Sequence, residues 1–270
     1  MRINHLSPSS IDMYTRCPRQ FAYRYLMGLK IPPAVAQLFG NAYHHTLEEN
    51  FTSKIHNGVD LPMGAAQAIF SDQWDRNVKD VNWLYEKEDR GVLKDTGVRL
   101  VTNYISNVAP YRNPLYIEHE FEIDLDGIPL IGRIDFVGND NSILEHKTSS
   151  RKWAQVRADG TIQATGYALA MSRIFGSIPN TITYDIAVKD SIGTIQTLET
   201  HRSDIDIRLF TEQAQIILLA VEHEVLPRTS EENWWCSEKF CGYYPNCRQG
   251  RSLSSINVIQ DYTLSSESDI

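Results

Sequence analysis

Three short β-rich segments between residues 115 and 150 place the strongest constraint on the fold of this chain. They read LYIEHEFEIDL, IPLIGRIDFVG and SILEHKTSS, and turn signals at Asp126-Gly127 and at residues 139–141 separate them. Short β-rich runs joined by tight turns predict three consecutive antiparallel strands.

Patterns on both sides of this block predict the remaining elements. Residues 7–29 begin with a Ser-Pro-Ser-Ser helix signal and continue with apolar residues at helical spacing, and we expect Pro18 to divide them into two short helices. Further helices are predicted at about 34–55, 62–80, 91–109, 161–175 and 204–226, and two more strands at about 181–190 and 193–202.

This order of helices and strands predicts an α/β (α+β) fold with a mixed central sheet flanked by helices. We expect one domain over residues 1–250, with a helical insertion at about 55–112, followed by a polar tail over 251–270.

The composition is that of a globular protein and sets weak limits on function. The 270 residues carry a formal net charge of −8, which counts mildly against nucleic acid as a partner, although a local basic groove or bound cations can offset it. We find neither a run of about 18 apolar residues nor a signal sequence, so we expect a cytoplasmic protein with no membrane partner.

Two charged residues inside the third predicted strand are the first candidate site. Glu145 and Lys147 are two residues apart and therefore project from the same face of a strand. Asp135 lies near the end of the preceding strand, so the two carboxylates can approach each other. Carboxylates beside an ammonium group suit a hard divalent cation that activates water, whereas the simpler interpretation is a surface ion pair of little energetic value.

Helical positions add weaker candidates. His44 and Glu48 are four residues apart and share a helix face with Gly40, and Gln163 and Tyr167 share a face in the same way. Each pair is also compatible with an ordinary helix surface or core position.

The four cysteines suggest a second site. Cys236, Cys241 and Cys247 follow a C-x4-C-x5-C spacing, and Cys17 lies far upstream. In a cytosolic chain metal ligation is a better expectation than disulfides, and thiolates suit Zn²⁺ or an iron–sulfur cluster; ordinary buried thiols are the alternative. Basic and aromatic residues near Cys17 and near the other three suit single-stranded nucleic acid, although most of these aromatics are as easily explained as core residues.

Taken together, these segments resemble the PD-(D/E)XK nuclease superfamily, specifically its RecB-like iron–sulfur nucleases, which include the CRISPR-associated RecB-like exonucleases. SPSSIDMYTRCPRQFAYRYL resembles the segment with the first cluster cysteine, and FGNAYHHTLEE the G-x-x-x-H helix. GRIDFV and LEHK resemble the catalytic core, and QATGYALA the Q-x-x-x-Y helix. The matches follow the family's order over nearly the whole chain.

The resemblance implies a restriction-endonuclease-like core and a role for each matching residue. The implied metal ligands for Mg²⁺ or Mn²⁺ are His44, Asp135, Glu145 and the backbone carbonyl of His146. Lys147 is the implied catalytic lysine, and Gln163 and Tyr167 are implied to support the site and contact nucleic acid. The implied ligands of a [4Fe–4S] cluster that staples the C-terminus to the N-terminal helix, with Zn²⁺ as the alternative occupant, are Cys17, Cys236, Cys241 and Cys247.

Three departures from the family pattern accompany these assignments. Ile134 stands where a proline often precedes the first motif aspartate, and the cysteine spacing is wider than the usual C-x2-C. Glu120 corresponds only loosely to an acidic residue found one strand earlier in some members.

The resemblance implies a metal-dependent DNA exonuclease that acts on single-stranded DNA or DNA ends in recombination, repair or CRISPR-type processing. The alternatives are a structure-specific endonuclease, or a DNA-binding subunit with weak activity that works with other DNA-processing proteins.

Overall fold

A five-stranded sheet forms the centre of the protein in the computed structural model, which describes residues 3–83, 88–125 and 127–250 and the backbone of residues 257–258. The strands are β2 (Pro114–Leu125), β3 (Ile128–Gly138), β4 (Ser142–Ser149), β5 (Thr181–Val188) and β6 (Ile195–Thr200), in the order β2-β3-β4-β5-β6. β2, β3 and β4 pair antiparallel, as the sequence predicts, β4 pairs parallel with β5, and β5 pairs antiparallel with β6. The predicted mixed sheet is therefore confirmed.

The helices cover both faces of the sheet. Those before the sheet are α1 (Pro8–Arg16), α2 (Pro18–Phe21), α3 (Val35–Asn57), α4 (Met63–Asn77) and α5 (Arg90–Asn107). Those after β4 are α6 (Gln155–Asp159), α7 (Ile162–Ile174), α8 (Asp204–Glu222) and α9 (Tyr244–Arg248). Because parallel strands cannot be joined by a tight turn, α6 and α7 make the connection from β4 to β5.

Two hydrophobic cores lie on opposite faces of the sheet. The α7-side core contains Ile134, Ile143 and Ala168 and receives α1, α7 and α8. The α3-side core contains Phe136 and Leu144 and receives α3, α4 and α5. Adjacent residues of β4, Ile143 and Leu144, thus enter different cores, as the alternation of a strand buried on both faces requires.

The N-terminal helices follow local sequence signals. Ser7 caps α1 in a reciprocal box with Ser10, Cys17 has an extended backbone, and Pro18 begins α2. The predicted break at Pro18 is therefore confirmed. α2 continues into one π-helical turn at Ala22–Leu26.

The polar tail predicted at 251–270 lies outside the described residues, except for the backbone of β7 (Asn257–Val258), which pairs antiparallel with β1 (Leu29–Lys30). No helix in the described part of the chain has both the length and the hydrophobicity needed to cross a bilayer.

Candidate active site

The candidate site lies where β3 and β4 separate. Their ladder consists of Phe136 with Leu144 and Val137 with Ile143, and it stops before Asp135 and Glu145 would pair. Beyond that point β3 remains paired with β2, and β4 remains paired with β5. Oδ2 of Asp135 accepts the backbone N–H of His146 at 3.0 Å, so a carboxylate takes the place of the missing ladder acceptor.

Asp135 is held in its ionised form. Burial opposes ionisation, but His44, the hydrogen bond from His146 and the ammonium of Lys147 outweigh it and keep the pKa of Asp135 below its usual range. The Nδ1 atom of His44, on α3, lies 3.3 Å from Oδ2 of Asp135. Burial lowers the pKa of His44 to about 4, so its ring is neutral near pH 7, where the hydrogen bond from His146 and the charge of Lys147 favour the ionised form of Asp135.

Glu145 is the most deeply buried carboxyl group of the site. Its side chain is only 2% exposed, Oε1 accepts a hydrogen bond from Nζ of Lys147 at 2.6 Å, and Oε2 is buried without a hydrogen-bond partner. Burial and the negative charge of Asp135 raise the pKa of Glu145 to about 7, although the positive charge of Lys147 lowers it. An unpartnered buried carboxyl oxygen costs free energy unless a cation or proton satisfies it.

The structure brings most of the sequence-predicted residues to this point. Gln163 on α7 lies close enough to Glu145 to favour its ionised form, and its Nε2 donates to the hydroxyl of Tyr167 at 2.8 Å. The Oδ2 atom of Asp135 accepts the backbone N–H of His146 and lies 3.3 Å from Nδ1 of His44, so the main chain of His146 lies beside these two candidate ligands. Glu48 instead lies 3.4 Å from Nδ1 of His45.

The expectation for Glu120 is wrong, and the neighbouring acid is Glu118. Glu120 is exposed, whereas the flanking pairs, Ile117 with Phe136 and His119 with Ile134, place Glu118 opposite Asp135. Burial and the charge of Asp135 raise the pKa of Glu118 to about 8, even though Nε of Arg133 lies 2.7 Å from its Oε2.

The backbone of Glu118 explains this difference. Its φ of 48° lies in the left-handed region, which is costly for a residue with a Cβ and interrupts the alternation of β2. Ile117 consequently packs on the α3-side core, whereas Phe121 packs in the α7-side core. Strict alternation would put Ile117 and Phe121 on one face of the strand. The interruption at Glu118 does not follow from the sequence pattern, so the pattern did not identify this residue.

The side chain of His146 belongs to a buried polar network that sequence reasoning also missed. Its Nε2 lies 3.0 Å from the hydroxyl of Tyr104, which donates to Asp185 at 2.9 Å. Arg112 makes two hydrogen bonds to the carboxylate of Asp185, at 2.7 and 3.1 Å, and Thr197 makes a third at 2.7 Å. The network fixes β4 from the face opposite Glu145 and Lys147.

The site fits a divalent cation in its donor chemistry, although no group of three or more His, Cys, Asp and Glu side chains in the described residues is arranged as a metal site. The ionised Asp135, the orphaned Oε2 of Glu145 and the neutral ring of His44 are oxygen and nitrogen donors of the kinds such ions accept.

The four cysteines line one small pocket, although Cys17 is far from the other three in sequence. All four are free thiols, and Arg228 and Arg248 also line the pocket. Nη2 of Arg248 lies 3.8 Å from Sγ of Cys236.

The aromatic residues near the cysteines divide between two roles. Phe21 is fully buried in the α7-side core, with Tyr14 and Tyr25 packed against it, so the core interpretation is correct for these three. Tyr23 stacks on Tyr243 at 5.3 Å, and the hydroxyl of Tyr243 donates to the carbonyl of Leu29. This contact joins the two ends of the chain beside the pocket.

Comparisons with known proteins give one family and a related fold. The sequence model described as the PD-(D/E)XK nuclease superfamily matches residues 5–248. A crystal structure of a candidate exonuclease from Eubacterium rectale superposes with a TM-score of 0.55 at 12% identity, covering 92% of this chain and 89% of that one. The crystal structure of SSO0001 has a TM-score of 0.41 at 15% identity, covering 93% of this chain and 89% of that one. No curated protein matches the chain.

Proposed function

This chain belongs to the PD-(D/E)XK nuclease superfamily, and we propose that it is a Mg²⁺- or Mn²⁺-dependent exonuclease that hydrolyses single-stranded DNA or DNA ends. The observation that carries the proposal is the convergence of Asp135, Glu145 and Lys147 where β3 and β4 separate, with Oε2 of Glu145 lacking a partner.

His44, Asp135, Glu145 and the backbone carbonyl of His146 would hold the cation. When bound, a divalent cation supplies a water molecule of lowered pKa and stabilises negative charge on the phosphodiester. Glu118, which sequence reasoning did not identify, adds a third carboxyl group, whose pKa is raised by burial and by the negative charge of Asp135.

Lys147 has the geometry of a residue that positions the attacking water. Its ammonium group is held 2.6 Å from Glu145, and the negative charges of Glu145 and Asp135 raise its pKa despite burial. It therefore stays protonated near pH 7 and acts as a hydrogen-bond donor toward water or the developing phosphate charge. Gln163 favours the ionised form of Glu145, and the hydroxyl of Tyr167 accepts a hydrogen bond from Gln163.

For the cysteine pocket we propose a [4Fe–4S] cluster on Cys17, Cys236, Cys241 and Cys247, with Zn²⁺ as the alternative occupant. Support comes from the four free thiols that line one pocket and from the contact of Tyr23 with Tyr243 beside it. Its role would be structural, because phosphodiester hydrolysis transfers no electrons. Free thiols are also in keeping with a cytoplasmic location.

Action on DNA ends, and a place in recombination, repair or CRISPR-type processing with other DNA-processing proteins, are proposed from the motif resemblance. The test uses protein purified without oxygen and end-labelled linear and closed circular single-stranded DNA, with Mn²⁺, Mg²⁺ or EDTA. We expect metal-dependent loss of the linear strand only, and its reduction by roughly 10³-fold in Asp135→Asn.

Three other results would change the proposal. Cleavage of the circle would identify an endonuclease. Equal cleavage by wild type and Asp135→Asn would remove the site from the mechanism. A folded wild-type protein that binds DNA without cleaving it would favour the DNA-binding subunit.

A further inference from the structure

The short segment that follows β4 carries three positively charged residues. Arg151, Lys152 and Arg157 are all exposed, and none forms an ion pair with another described residue. The chain as a whole carries a net charge of −8, so three cations within seven residues form a local positive cluster on a negatively charged protein.

The segment between β4 and α7 is held rigidly. The backbone N–H of Trp153 donates to Oε1 of Gln196 at 2.8 Å, and Nε2 of Gln196 donates to the carbonyl of Trp153 at 2.9 Å. The hydroxyl of Ser149 donates to the carbonyl of Arg151 at 2.7 Å. These bonds fix the backbone that carries the three cations, so little ordering would be needed when a ligand binds.

Arg157 is positioned by stacking. Its guanidinium carbon lies 3.8 Å from the ring centroid of Trp153, which is itself only 8% exposed. Stacking holds the planar group in place through its face and leaves its N–H groups available at the edge. A guanidinium presented in this way suits the paired oxygens of a phosphate.

A continuous set of contacts connects Arg157 with the candidate active site. Glu145 pairs in register with Tyr184 across β4 and β5, and Tyr184 interacts electrostatically with Glu145 and Lys147. The ring of Tyr184 lies 5.5 Å from that of Trp153, on which Arg157 stacks. Arg157 therefore lies on the β5 side of the candidate site, separated from Glu145 by the rings of Tyr184 and Trp153, and Arg151 and Lys152 directly precede Trp153 in the chain.

We propose that Arg151, Lys152 and Arg157 bind the sugar–phosphate backbone of the DNA strand whose scissile phosphate lies at Glu145 and Lys147, with Arg157 as the principal contact. We call these three residues the phosphate ledge. The inference rests on the proposed nuclease function and adds how the substrate strand is held. Such contacts would be independent of base sequence.

The test measures binding in EDTA, where no cleavage occurs, by the anisotropy of a short fluorescein-labelled oligothymidylate at several NaCl concentrations. We expect Arg157→Gln to weaken binding by about tenfold and to reduce the slope of log affinity against log salt by about 0.7, the value for one lost phosphate contact on a single strand. Arg157→Lys should have an affinity between those of wild type and Arg157→Gln, because it keeps the charge but loses the planar stack.

The matched control is Arg208→Gln on α8, which removes the same charge from a side chain that is 67% exposed. It should leave affinity and salt slope unchanged. The double variant Arg151→Gln/Lys152→Gln leaves the stack of Arg157 on Trp153 in place and changes two exposed side chains. It should also lower the slope.

The outcomes separate this inference from the proposed function. The phosphate ledge is refuted if Arg157→Gln and the double variant bind like Arg208→Gln, or if wild type does not bind the oligonucleotide, whatever the cleavage assay gives. A different result would be that wild type fails to cleave with Mn²⁺ while Arg157→Gln still binds more weakly and with less salt dependence than wild type. That result would overturn the nuclease proposal and leave the phosphate ledge as a DNA-binding site.

Discussion

The carboxylate of Asp135 accepts the backbone N–H of His146 across the gap between β3 and β4. One side chain therefore closes a hydrogen bond of the sheet and also presents a negative charge to the candidate metal site. Because Asn can still accept that hydrogen bond through its carbonyl oxygen, Asp135→Asn separates the loss of charge from the loss of structure more cleanly than Asp135→Ala.

The first prediction distinguishes the two acidic residues of β2. Glu118→Gln should reduce metal-dependent cleavage by roughly tenfold or more, because it removes a carboxyl group opposite Asp135. Glu120→Gln, only two residues away but exposed, should stay within about twofold of wild type. Initial rates across a Mn²⁺ titration would measure both, and a larger loss in Glu120→Gln would contradict the assignment.

The second prediction concerns the stability of the metal-free protein as a function of pH. The pKa values of Glu118 and Glu145 are raised to about 8 and about 7, above their ordinary 4.5, so these groups hold protons in the folded protein that the unfolded chain has released. The free energy of unfolding in EDTA should therefore fall as pH rises from about 4.5 to about 8.

His44 affects stability in the opposite direction over an overlapping pH range. Its pKa is lowered from 6.5 to about 4, so its contribution to stability is lost as pH falls through that interval. Melting curves of wild type and Glu145→Gln in EDTA would isolate the carboxyl contribution as the difference between them. Added Mg²⁺ or Mn²⁺ should stabilise wild type more at pH 8 than at pH 6, and a stabilisation that is larger at pH 6 would refute the linkage.

The third prediction tests the cysteine pocket. Cys17→Ser and Cys236→Ser should each lose bound iron and sulfide and lower the Tm by about 5 °C or more, since a ligand set that joins both ends of the chain couples binding to folding. The exposed neighbour Lys239→Ala should keep both properties. Metal and sulfide analysis identifies the occupant. Zinc without sulfide would identify a zinc site instead of a cluster, and the absence of zinc, iron and sulfide would mean that the cysteines are ordinary thiols.

The fourth prediction concerns the buried network behind β4. Asp185→Ala leaves the charge of Arg112 and the hydroxyl of Tyr104 without their acceptor, so we expect a loss of about 3–5 kcal/mol in urea unfolding. Asp185→Asn should cost less because it keeps an acceptor. The exposed Asp72→Ala should change stability by less than about 0.5 kcal/mol. Equal effects at both aspartates would argue against the network.

The fifth prediction concerns helix packing. A Cβ at Gly97 on α5 would overlap the ring of Phe70 on α4, so Gly97→Ala should destabilise the protein by about 1–3 kcal/mol. Gly64 on α4 has open space around it, and Gly64→Ala should stabilise by up to about 1 kcal/mol. Thermal unfolding of the two variants tests whether α4 and α5 pack this closely.

The sequence by itself determined the elements and part of the site. Turn residues and β-rich composition identified β2, β3 and β4, and Pro18 marked the break between α1 and α2. Alternation also put Glu145 and Lys147 on one face, where they hydrogen-bond. These features depend on local preferences that a short stretch of chain carries with it.

Only the tertiary structure decided how distant segments complete the site. The left-handed backbone at Glu118 overrides alternation and brings that residue, rather than Glu120, opposite Asp135. Likewise Asp185 accepts a hydrogen bond from Tyr104, which lies 81 residues earlier in the chain. Arg157 is connected to the site through the rings of Trp153 and Tyr184. The physical reason is that burial, pKa and pairing in these cases depend on contacts between strands and helices, which no local pattern encodes.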